Sequence, residues 1–529
     1  MATIQPRYDF RVPKKIGFHA VGGGSSHYFW VLEIFEELKR RGHEVAFYTR
    51  GDSLKFADAY SVEAHQIGGH DNFLVLKPSN DAPRHLQHQH PLPMRFNKNL
   101  MPHVLKDYAI ECEQLEALFT KDRPDLMLCD MFAVACFDTA RIMGIPTIMT
   151  STMTFTKDTR TPYVTPDIPS FQHPTTETMS LWERLQLLFY RQYLPFQLKR
   201  LDLPAQQLQR EKGLPVTATL YAEDAAHGSM KLINNFFGLE APRPMGPLVE
   251  MVGPFMRKEY PPLTDTLASF LDQHSKVAYV AFGQHAVPTE HDTMWLLQAL
   301  DSAMENGWID GVIWTAMDNH PPLPRVLTDT HAVPPKRLVL LDNHPDILIT
   351  TWAPQFAVLQ HPSTYLFVTH GGAASVHEAL FAGVRLFVFP FFGDQPLTAH
   401  LVQQFNLGSA MHTSGLVYSP ENYQVLVTNL AYALTDPDIG VHVQHYARIV
   451  QVRAQQAPQR SADLVEEALF GALPDGRLFH RQDVAHRIPW LKRHNYDLLL
   501  ISLFALASLL FVAQQLSTWL TRPKKVKSL

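Results

Sequence analysis

Hydrophobic and polar positions alternate in blocks near the start of the chain and predict a strand, a helix and a second strand. The apolar run KIGFHAV (15–21) is followed by Gly22–Gly24 and predicts a buried strand. The run HEVAFYT (43–49) predicts another. Between them, four apolar residues recur at helical spacing: Phe29, Leu32, Phe35 and Leu38. A strand–helix–strand unit of this kind indicates a parallel sheet.

The same pattern continues along the chain. A second unit runs through DLMLCD (125–130), a helical stretch and IPTIMTS (145–151). A further series of strand-like runs follows at 276–282, 311–316, 337–342, 365–369 and 385–390. We therefore predict an α/β fold with two doubly wound domains that face a cleft. The expected segments are an N-terminal domain (1–240), a Pro- and Gly-rich linker (241–256), a C-terminal domain (257–460) and return helices toward the first domain (461–496).

Residues 178–212 have a helical pattern with an apolar stripe formed by Leu181, Leu185, Leu188 and Phe189. Such a stripe belongs to the core more often than to a membrane-binding surface, so we expect it to be buried.

The C-terminal region has a different composition from the body. Leu498–Leu520 is a run of 23 uncharged residues, enough to cross a bilayer, and we predict a transmembrane helix over 497–520 with a basic tail at 521–529. No secretory signal is recognisable at the N-terminus, which favours a cytosolic body on a single-pass anchor, with the endoplasmic reticulum as the expected membrane. The terminal KVKSL resembles a dilysine retrieval signal, which would need a cytosolic tail. A single span places the body and the tail on opposite sides of the membrane, so a cytosolic body and a cytosolic tail are conflicting expectations.

Composition excludes several classes of protein. With 46 basic and 51 acidic residues the formal charge is −5, so no nucleic-acid partner is expected. The three cysteines cannot form a disulfide framework or a cysteine-based zinc site, and we expect Cys129 and Cys136 to be buried thiols.

Residues 352–395 contain the strongest chemical signal. A predicted strand ends at Thr369 and is followed by His370, Gly371 and Gly372, with a helix starting near residue 374. Exposed backbone N–H groups and the positive end of the helix would suit a diphosphate. Potential ligand-binding side chains surround this turn: Trp352, Gln355, Glu378, Asp394 and Gln395.

This ordered set (W-x-x-Q, H-G-G, a Glu eight residues after the His, then D-Q) resembles the signature of the UDP-glycosyltransferase family, which has the GT-B fold. The resemblance implies that Trp352 stacks on uracil, that the His370 turn holds the diphosphate, that Glu378 binds ribose, and that Asp394 and Gln395 bind the sugar. It extends donor binding to Gln284, Gln355, Gly372 and Ser375. The family usually has Asn at the position of Ala374, Ser at Gln284 and Pro at Arg385.

Two further residues form the predicted catalytic pair. His27 follows the glycine loop after the first strand and could take a proton from an acceptor hydroxyl. Asp130 ends a neighbouring strand and could fix the tautomer of that imidazole. The family uses a His–Asp pair, and His27 and Asp130 are the matching positions. His19 is a rival base, but its position inside a strand favours burial.

The expected function is inverting transfer of a hexose from a UDP-sugar, UDP-glucose being favoured, to a hydroxyl of a lipophilic small molecule such as a phenol or sterol. No cofactor and no metal are expected. The alternatives are a catalytically silent nucleotide-sugar binder, suggested by Ala374, and a UDP-sugar epimerase of the same fold. The D-x-D of Asp436 and Asp438 could suggest a metal site, but the adjacent Pro437 predicts a turn.

Overall fold

The computed structural model describes residues 12–70, 93–164, 175–219, 221–317, 323, 326–328, 338–340, 344–411, 418–473, 476–484 and 488–520. The chain forms two compact units, Met1–Phe479 and His480–Leu529. The first unit contains two parallel sheets, and the candidate active site belongs entirely to it.

The first sheet has seven parallel strands in the order β3-β2-β1-β4-β5-β6-β7. The strands are β1 Lys15–Ala20, β2 Glu44–Thr49, β3 Glu63–Gln66, β4 Leu126–Asp130, β5 Thr147–Ser151, β6 Met230–Ile233 and β7 Val249–Met251. The chain builds this sheet outward from β1 in one direction and then restarts at β4 on the other side. The strand order therefore reverses between β1 and β4, where ligands bind in doubly wound folds.

The second main sheet has six parallel strands in the order β12-β9-β8-β13-β14-β15. They are β8 Val277–Ala281, β9 Gly311–Thr315, β12 Ile347–Thr350, β13 Thr364–Thr369, β14 Arg385–Val388 and β15 Gly408–Ala410. Two short strands, β10 Val326–Thr328 and β11 Leu338–Leu340, pair antiparallel in a separate hairpin. The order of the main sheet reverses between β8 and β13.

Helices cover both sheets. They are α1 Phe29–Arg40, α2 Pro93–Val104, α3 Tyr108–Lys121, α4 Val134–Met143, α5 Leu181–Lys199, α6 Pro204–Glu211, α7 Asp265–Gln273, α8 Glu290–Glu305, α9 Gln355–Gln360, α10 Ala373–Ala382, α11 Gln395–Gln404, α12 Pro420–Thr435, α13 Pro437–Ala454 and α14 Ala457–Gly471. Central strands such as β4 and β8 are buried along their whole length, because helices lie on both faces of each sheet.

The structure differs from the sequence-based expectations at three places. The run 337–342 was expected in the parallel series, but the described part, β11, belongs to the hairpin, and β12 takes the place in the sheet. The segment 241–256, expected to be a linker, contains β7, the edge strand of the first sheet. The helices that return to the first domain were expected to start at residue 461. The helix that packs on the α1 side of that sheet, α14, begins earlier, at Ala457.

The stripe on α5 is a further correction. Leu181, Leu185, Leu188 and Phe189 are exposed rather than buried, while Leu187 and Leu198 of the same helix are buried. The periodicity located the helix correctly, but the helix has apolar residues on more than one side, and the predicted stripe lies on the outer one.

The second unit contains two helices, α15 Trp490–Arg493 and α16 Tyr496–Leu520. Helix α16 has 25 residues and contains an 18-residue window with a mean hydropathy of 2.2, so it is long and apolar enough to cross a membrane. The predicted basic tail, 521–529, lies outside the described residues.

Asp436 is the N-cap of α13. Its side chain accepts hydrogen bonds from the backbone N–H groups of Asp438 (2.9 Å) and Ile439 (3.3 Å). The D-x-D pattern therefore begins a helix.

We expect Asp436→Ala to lower the midpoint of urea unfolding of the full chain by an amount equivalent to about 1 kcal/mol, because two backbone donors lose their acceptor. Asp438→Asn is the control and should have a smaller effect. A rise of the wild-type midpoint with added Mn²⁺ that Asp436→Ala abolishes would instead indicate a metal site.

Candidate active site

The sequence-predicted site residues gather at the two places where strand order reverses. His27 follows β1 and Asp130 ends β4, the adjacent strand of the first sheet. Gln284 follows β8 and His370 follows β13, which are adjacent in the second sheet. Carboxyl ends of neighbouring parallel strands lie at one edge, so each reversal leaves room for a ligand.

His27 lies in a short 3-10 turn, Ser25–His27, between β1 and α1. Its imidazole packs directly against Gly23, where a Cβ atom would come within 2.3 Å of the ring. Gly23 also has a φ of +98°, which favours glycine. The glycine loop therefore makes the space in which the imidazole is buried.

The His27 Nδ1 atom lies 2.9 Å from Asp130 Oδ2, and both residues are buried. The other carboxylate oxygen, Oδ1, accepts a hydrogen bond from the backbone N–H of Phe132 at 3.0 Å. A carboxylate on Nδ1 favours the tautomer that carries its proton there, which leaves Nε2 as a base. His27 and Asp130 are thus arranged as a general base and its positioning residue.

The protonation of His27 reflects opposing effects. Burial lowers its pKa, but the carboxylate of Asp130, and more weakly that of Asp394, outweigh burial and raise the pKa above its ordinary value of 6.5. Asp394 belongs to the second domain, immediately before α11. Its charge acts on His27, so the residue predicted to hold the sugar faces the predicted base across the cleft.

His370 lies at the turn between β13 and α10, and its ring is enclosed by glycines. A Cβ atom on Gly372 would come within 2.3 Å of Nε2, and one on Gly283 within 2.9 Å of Cε1. Burial, followed by the charge of nearby His285, lowers the pKa of His370 to about 3. His370 is therefore neutral at physiological pH and can act as a hydrogen-bond donor beside the first backbone N–H groups of α10.

Gln355, Ser375 and Glu378 form one hydrogen-bonded group. The Gln355 amide nitrogen, on the first residue of α9, donates to Glu378 Oε2 (2.6 Å) and to Ser375 Oγ (3.2 Å). Burial raises the pKa of Glu378, while Gln355 and the charge of Arg257 act in the opposite direction. Trp352 lies at the same wall of the cleft, and 56% of its surface is exposed and accessible to a flat base.

Gln395 is buried, and its side-chain oxygen accepts hydrogen bonds from the backbone N–H groups of Phe391 (2.8 Å) and Phe392 (3.1 Å). Its amide NH₂ is the group that can donate to a ligand. Asp394 lines the cleft beside it, and burial raises the pKa of that carboxyl.

The cleft between the two sheets encloses about 610 Å³, within the range of small-molecule sites. All the predicted donor-binding residues and His27 line it: Gln284, Trp352, Gln355, His370, Gly372, Ser375, Glu378, Asp394 and Gln395. Asp130 lies behind His27 rather than on the wall. The structure thus brings the predicted residues together in one site.

The cleft also contains polar residues that the sequence motifs did not reveal. Arg257 and Tyr260 follow the segment 241–256; Tyr260 stacks on Phe356 with ring centroids 4.1 Å apart, its hydroxyl accepts a hydrogen bond from the backbone N–H of Arg257 at 3.1 Å, and it lowers the pKa of Glu378. The Arg257 guanidinium lies 5.0 Å from the ring of Phe29 in the first domain. His285 and Lys55 also line the cleft. Their only sequence signal is proximity to a strand end or to the linker.

Aromatic and sulfur-containing side chains form the wall of the first domain next to His27. The Phe132 ring lies 5.3 Å from the His27 ring and 5.6 Å from Tyr221, between centroids. Met131 and Met153 extend this wall. The part of the first-domain wall next to His27 is therefore largely apolar, whereas the predicted donor-binding residues of the second domain are mostly polar.

The expectation of free thiols at Cys129 and Cys136 is wrong. The two residues form a disulfide, with Cα atoms 5.9 Å apart. Cys129 immediately precedes Asp130 at the end of β4, and Cys136 lies in the first turn of α4, so the bond closes the loop that carries Asp130. Cys112 is a buried free thiol.

Residues 20–417 match the family described as "UDP-glucoronosyl and UDP-glucosyl transferase". The chain belongs to the UDP-glycosyltransferase family. It is 32% identical over 412 residues to UDP-glycosyltransferase 1 of Phaeomoniella chlamydospora, an alignment that covers 75% of this chain and 81% of that protein. It is 30% identical over 501 residues to a UDP-glycosyltransferase of Talaromyces amestolkiae, covering 90% and 92%.

The structural comparison agrees with this family and with the predicted GT-B fold. The glycotransferase of kitacinnamycin superimposes with a TM-score of 0.58 at 21% identity, covering 87% of this chain and 99% of that one. The protein is therefore a UDP-glycosyltransferase, an enzyme that transfers sugar. Among the described residues of this transferase, no group of three or more His, Cys, Asp or Glu side chains is arranged to hold a metal ion.

We expect His27→Ala to reduce kcat of the transferase by at least about 100-fold, because the acceptor proton loses its base. UDP binding, measured by calorimetry, should remain within a small factor of wild type. Retained turnover would exclude His27 as the base.

Asp130→Asn provides a sharper test through the pH profile. A base must be neutral, so kcat/KM, which reports the free enzyme, should fall as the pH drops through the raised pKa of His27, which places the acidic limb of the wild type above pH 6.5. Replacing the Asp130 carboxylate removes the main interaction that raises the pKa of His27. Burial remains, and burial lowers that pKa. The acidic limb of kcat/KM should move to lower pH while its plateau also falls. An unmoved limb would contradict the coupling.

Proposed function

We propose that this transferase moves glucose from UDP-glucose to a hydroxyl group of a lipophilic, planar small molecule, with inversion at the anomeric carbon. The observation that carries the proposal is the position of His27. Its ring packs against the apolar Phe132 wall and lines the same cleft as the half-buried carboxylate of Asp394 on the opposite domain, whose charge acts on it. An acceptor on the apolar wall would place its hydroxyl near the base, and a sugar at Asp394 would place its anomeric carbon on the far side of that hydroxyl.

The reaction is an in-line displacement. The acceptor oxygen attacks the anomeric carbon while its proton passes to Nε2 of His27, and the bond from the anomeric carbon to the diphosphate oxygen breaks. UDP leaves with the electron pair. The neutral His370 and the N-terminus of α10 would stabilise the charge that grows on the diphosphate. We propose that no metal takes part in this step.

The electrostatics of the sugar end favour a neutral hexose over a uronate. Asp130 and Asp394 both exert negative charge on His27, and a uronate carboxylate there would meet like charges. Two cations, Arg257 and Lys55, line the cleft. Arg257 acts on Glu378, the predicted ribose ligand, and therefore belongs to the nucleoside end. Lys55 lies beside Phe56, 5.7 Å from its ring centroid.

The shape of the apolar wall favours aromatic acceptors. Phe132, Tyr221 and Phe155 form a continuous set of rings, with Tyr221 and Phe155 centroids 4.2 Å apart. A flat aromatic alcohol could stack on Phe132 beside the imidazole, and each such pair contributes about 0.5–1.5 kcal/mol beyond burial.

A donor-by-acceptor assay tests this function. Full-length protein in detergent is incubated with UDP-glucose or UDP-glucuronate and with 1-naphthol, ergosterol or no acceptor. We expect UDP release with UDP-glucose and naphthol, and a product heavier than naphthol by one hexose residue. Phe132→Ala should raise KM for naphthol roughly 2- to 12-fold, the loss of one aromatic pair, with KM for UDP-glucose unchanged.

Other outcomes would contradict the proposal in distinct ways. UDP binding without turnover for any acceptor would indicate a silent binder. Conversion of the sugar nucleotide without acceptor would indicate an epimerase. Preferred use of UDP-glucuronate would overturn the choice of donor alone.

We further propose that α16 anchors the transferase in the endoplasmic-reticulum membrane and that its body faces the lumen. The length and hydropathy of α16 support the anchor. The Cys129–Cys136 disulfide favours an oxidising compartment for the body, the opposite of the cytosolic expectation.

Protease treatment of sealed microsomes should therefore leave the body intact until detergent is added. In addition, Cys129 and Cys136 should react with a maleimide after denaturation only if a reductant is present. Digestion of the body in sealed vesicles would place it in the cytosol, and a luminal marker protein serves as the control for sealing.

A further inference from the structure

Helix α5 has apolar residues on two opposite sides. Leu187, Leu194 and Leu198 face inward, where Leu194 and Leu198 contact the main core of the first domain. Six large apolar side chains are exposed by 49–71%: Leu181, Trp182, Leu185, Leu188, Phe189 and Phe196. At roughly 100° per residue these six occupy one continuous face, opposite the inward set. We call this set of six residues the outer face of α5.

An outer face of this kind is unusual in contact with water. Single exposed apolar side chains are common on soluble proteins, but a contiguous patch marks a surface that another apolar phase covers. The helix itself is well formed, because Ser180 and Glu183 make a reciprocal capping box at its start. A stable helix does not by itself need exposed apolar side chains. We therefore look for a surface that the outer face contacts.

Charge around the outer face favours a lipid surface. Arg184, Lys199 and Arg200 are exposed, and the Arg200 guanidinium lies 5.5 Å from the Phe196 ring. The single carboxylate of the helix, Glu183, is engaged in the cap. A helix with an apolar face, a Trp and a basic rim has the composition of an interfacial membrane helix, whose cations meet anionic headgroups.

The same charges argue against a second copy of the chain as the occupant. In a two-fold dimer the patch would meet itself, which would bring the basic rims of two α5 helices together. A bilayer has no such cost. A chain with a candidate membrane span also holds its body at a high local concentration of lipid, so weak interfacial contacts become occupied.

We propose that the outer face of α5 lies in the headgroup–acyl boundary of the membrane, with Arg184, Lys199 and Arg200 against lipid phosphates. The contact would give the enzyme a second attachment to the bilayer, independent of its catalytic residues. The inference rests on the proposed membrane location, and the experiment below tests the two separately.

The experiment uses full-length protein in nanodiscs of phosphatidylcholine and phosphatidylserine, labelled at a single introduced cysteine with an environment-sensitive fluorophore. Cys112 is buried, and the other two cysteines are disulfide-bonded, so the label goes to the new site. Three variants are compared: Leu188→Cys on the outer face, Val441→Cys on α13 and Leu509→Cys in α16. Val441 is a matched control, since it is exposed by 68% and Leu188 by 61%. Two quenchers are used together: lipids with a nitroxide at the headgroup–acyl boundary, and lipids with a nitroxide near the end of the acyl chain, because position 509 lies at the middle of the apolar run of α16, about 16 Å from either end.

We expect strong quenching at positions 188 and 509 and little at 441. Quenching at 509 without quenching at 188 would overturn the α5 contact and leave the anchor standing. Equal quenching at 188 and 441 would also overturn it, because the contact would not be specific. Absence of quenching at all three sites would overturn both. Self-quenching of labelled Leu188→Cys that grows with the number of copies per disc, without lipid quenching, would show that a second copy covers the face.

Discussion

The candidate active site depends on the hydrogen bond between His27 Nδ1 and Asp130 Oδ2, and that bond depends on the order of strands in the first sheet. β1 and β4 are far apart in sequence but adjacent in the sheet, with His19 opposite Cys129 in the register. Their carboxyl ends therefore meet. Gly23 leaves space for the imidazole, and the Phe132 backbone N–H holds the Asp130 carboxylate in place. The orientation of His27 Nε2 is therefore set by Gly23 and by the backbone of Phe132, which have no part in the proposed proton transfer.

The second domain also has a reversal of strand order, but different chemical groups lie there. β8 and β13 are adjacent and the strand order reverses between them, but the turn after β13 presents backbone N–H groups and a neutral imidazole instead of a base. Glycines at 283 and 372 allow the backbone to approach His370 closely. One reversal therefore positions the predicted base, and the other positions donors that could bind an anion. The two faces oppose each other across the cleft, which His27 and Asp394 both line.

Sequence patterns predicted the features that have a period or a fixed spacing. The parallel strands at 15–20, 126–130, 277–281 and 364–369 are short apolar runs with turn residues beside them, and they were recognised for that reason. The motif from Trp352 to Gln395 lies in a single stretch of chain, so its members could be identified together. Its residues line one cleft, although the role of each remains a prediction.

The missed features depend on contacts between distant segments or on what covers a surface. An apolar run does not show which strand it pairs with, so 337–342 was placed in the wrong sheet. Cys129 and Cys136 are seven residues apart, and only the turn from β4 into α4 brings them into bonding distance. Arg257 and Tyr260 belong to no motif and reach Glu378 through the path of the linker. The stripe on α5 has helical periodicity whether a core or another phase covers it.

Packing also explains two of the departures from the family pattern. The Arg385 guanidinium donates to the carbonyl oxygens of Ala433 (3.0 Å) and Asp436 (2.8 Å) at the end of α12, so it stabilises a helix terminus that a proline could not. Ala374, at the start of α10, packs against the hydrophobic cluster of the first domain. An alanine there exchanges a polar ligand contact for an apolar contact between the domains. This exchange is compatible with anion binding because the turn supplies backbone N–H groups and His370, which do not depend on the side chain at position 374.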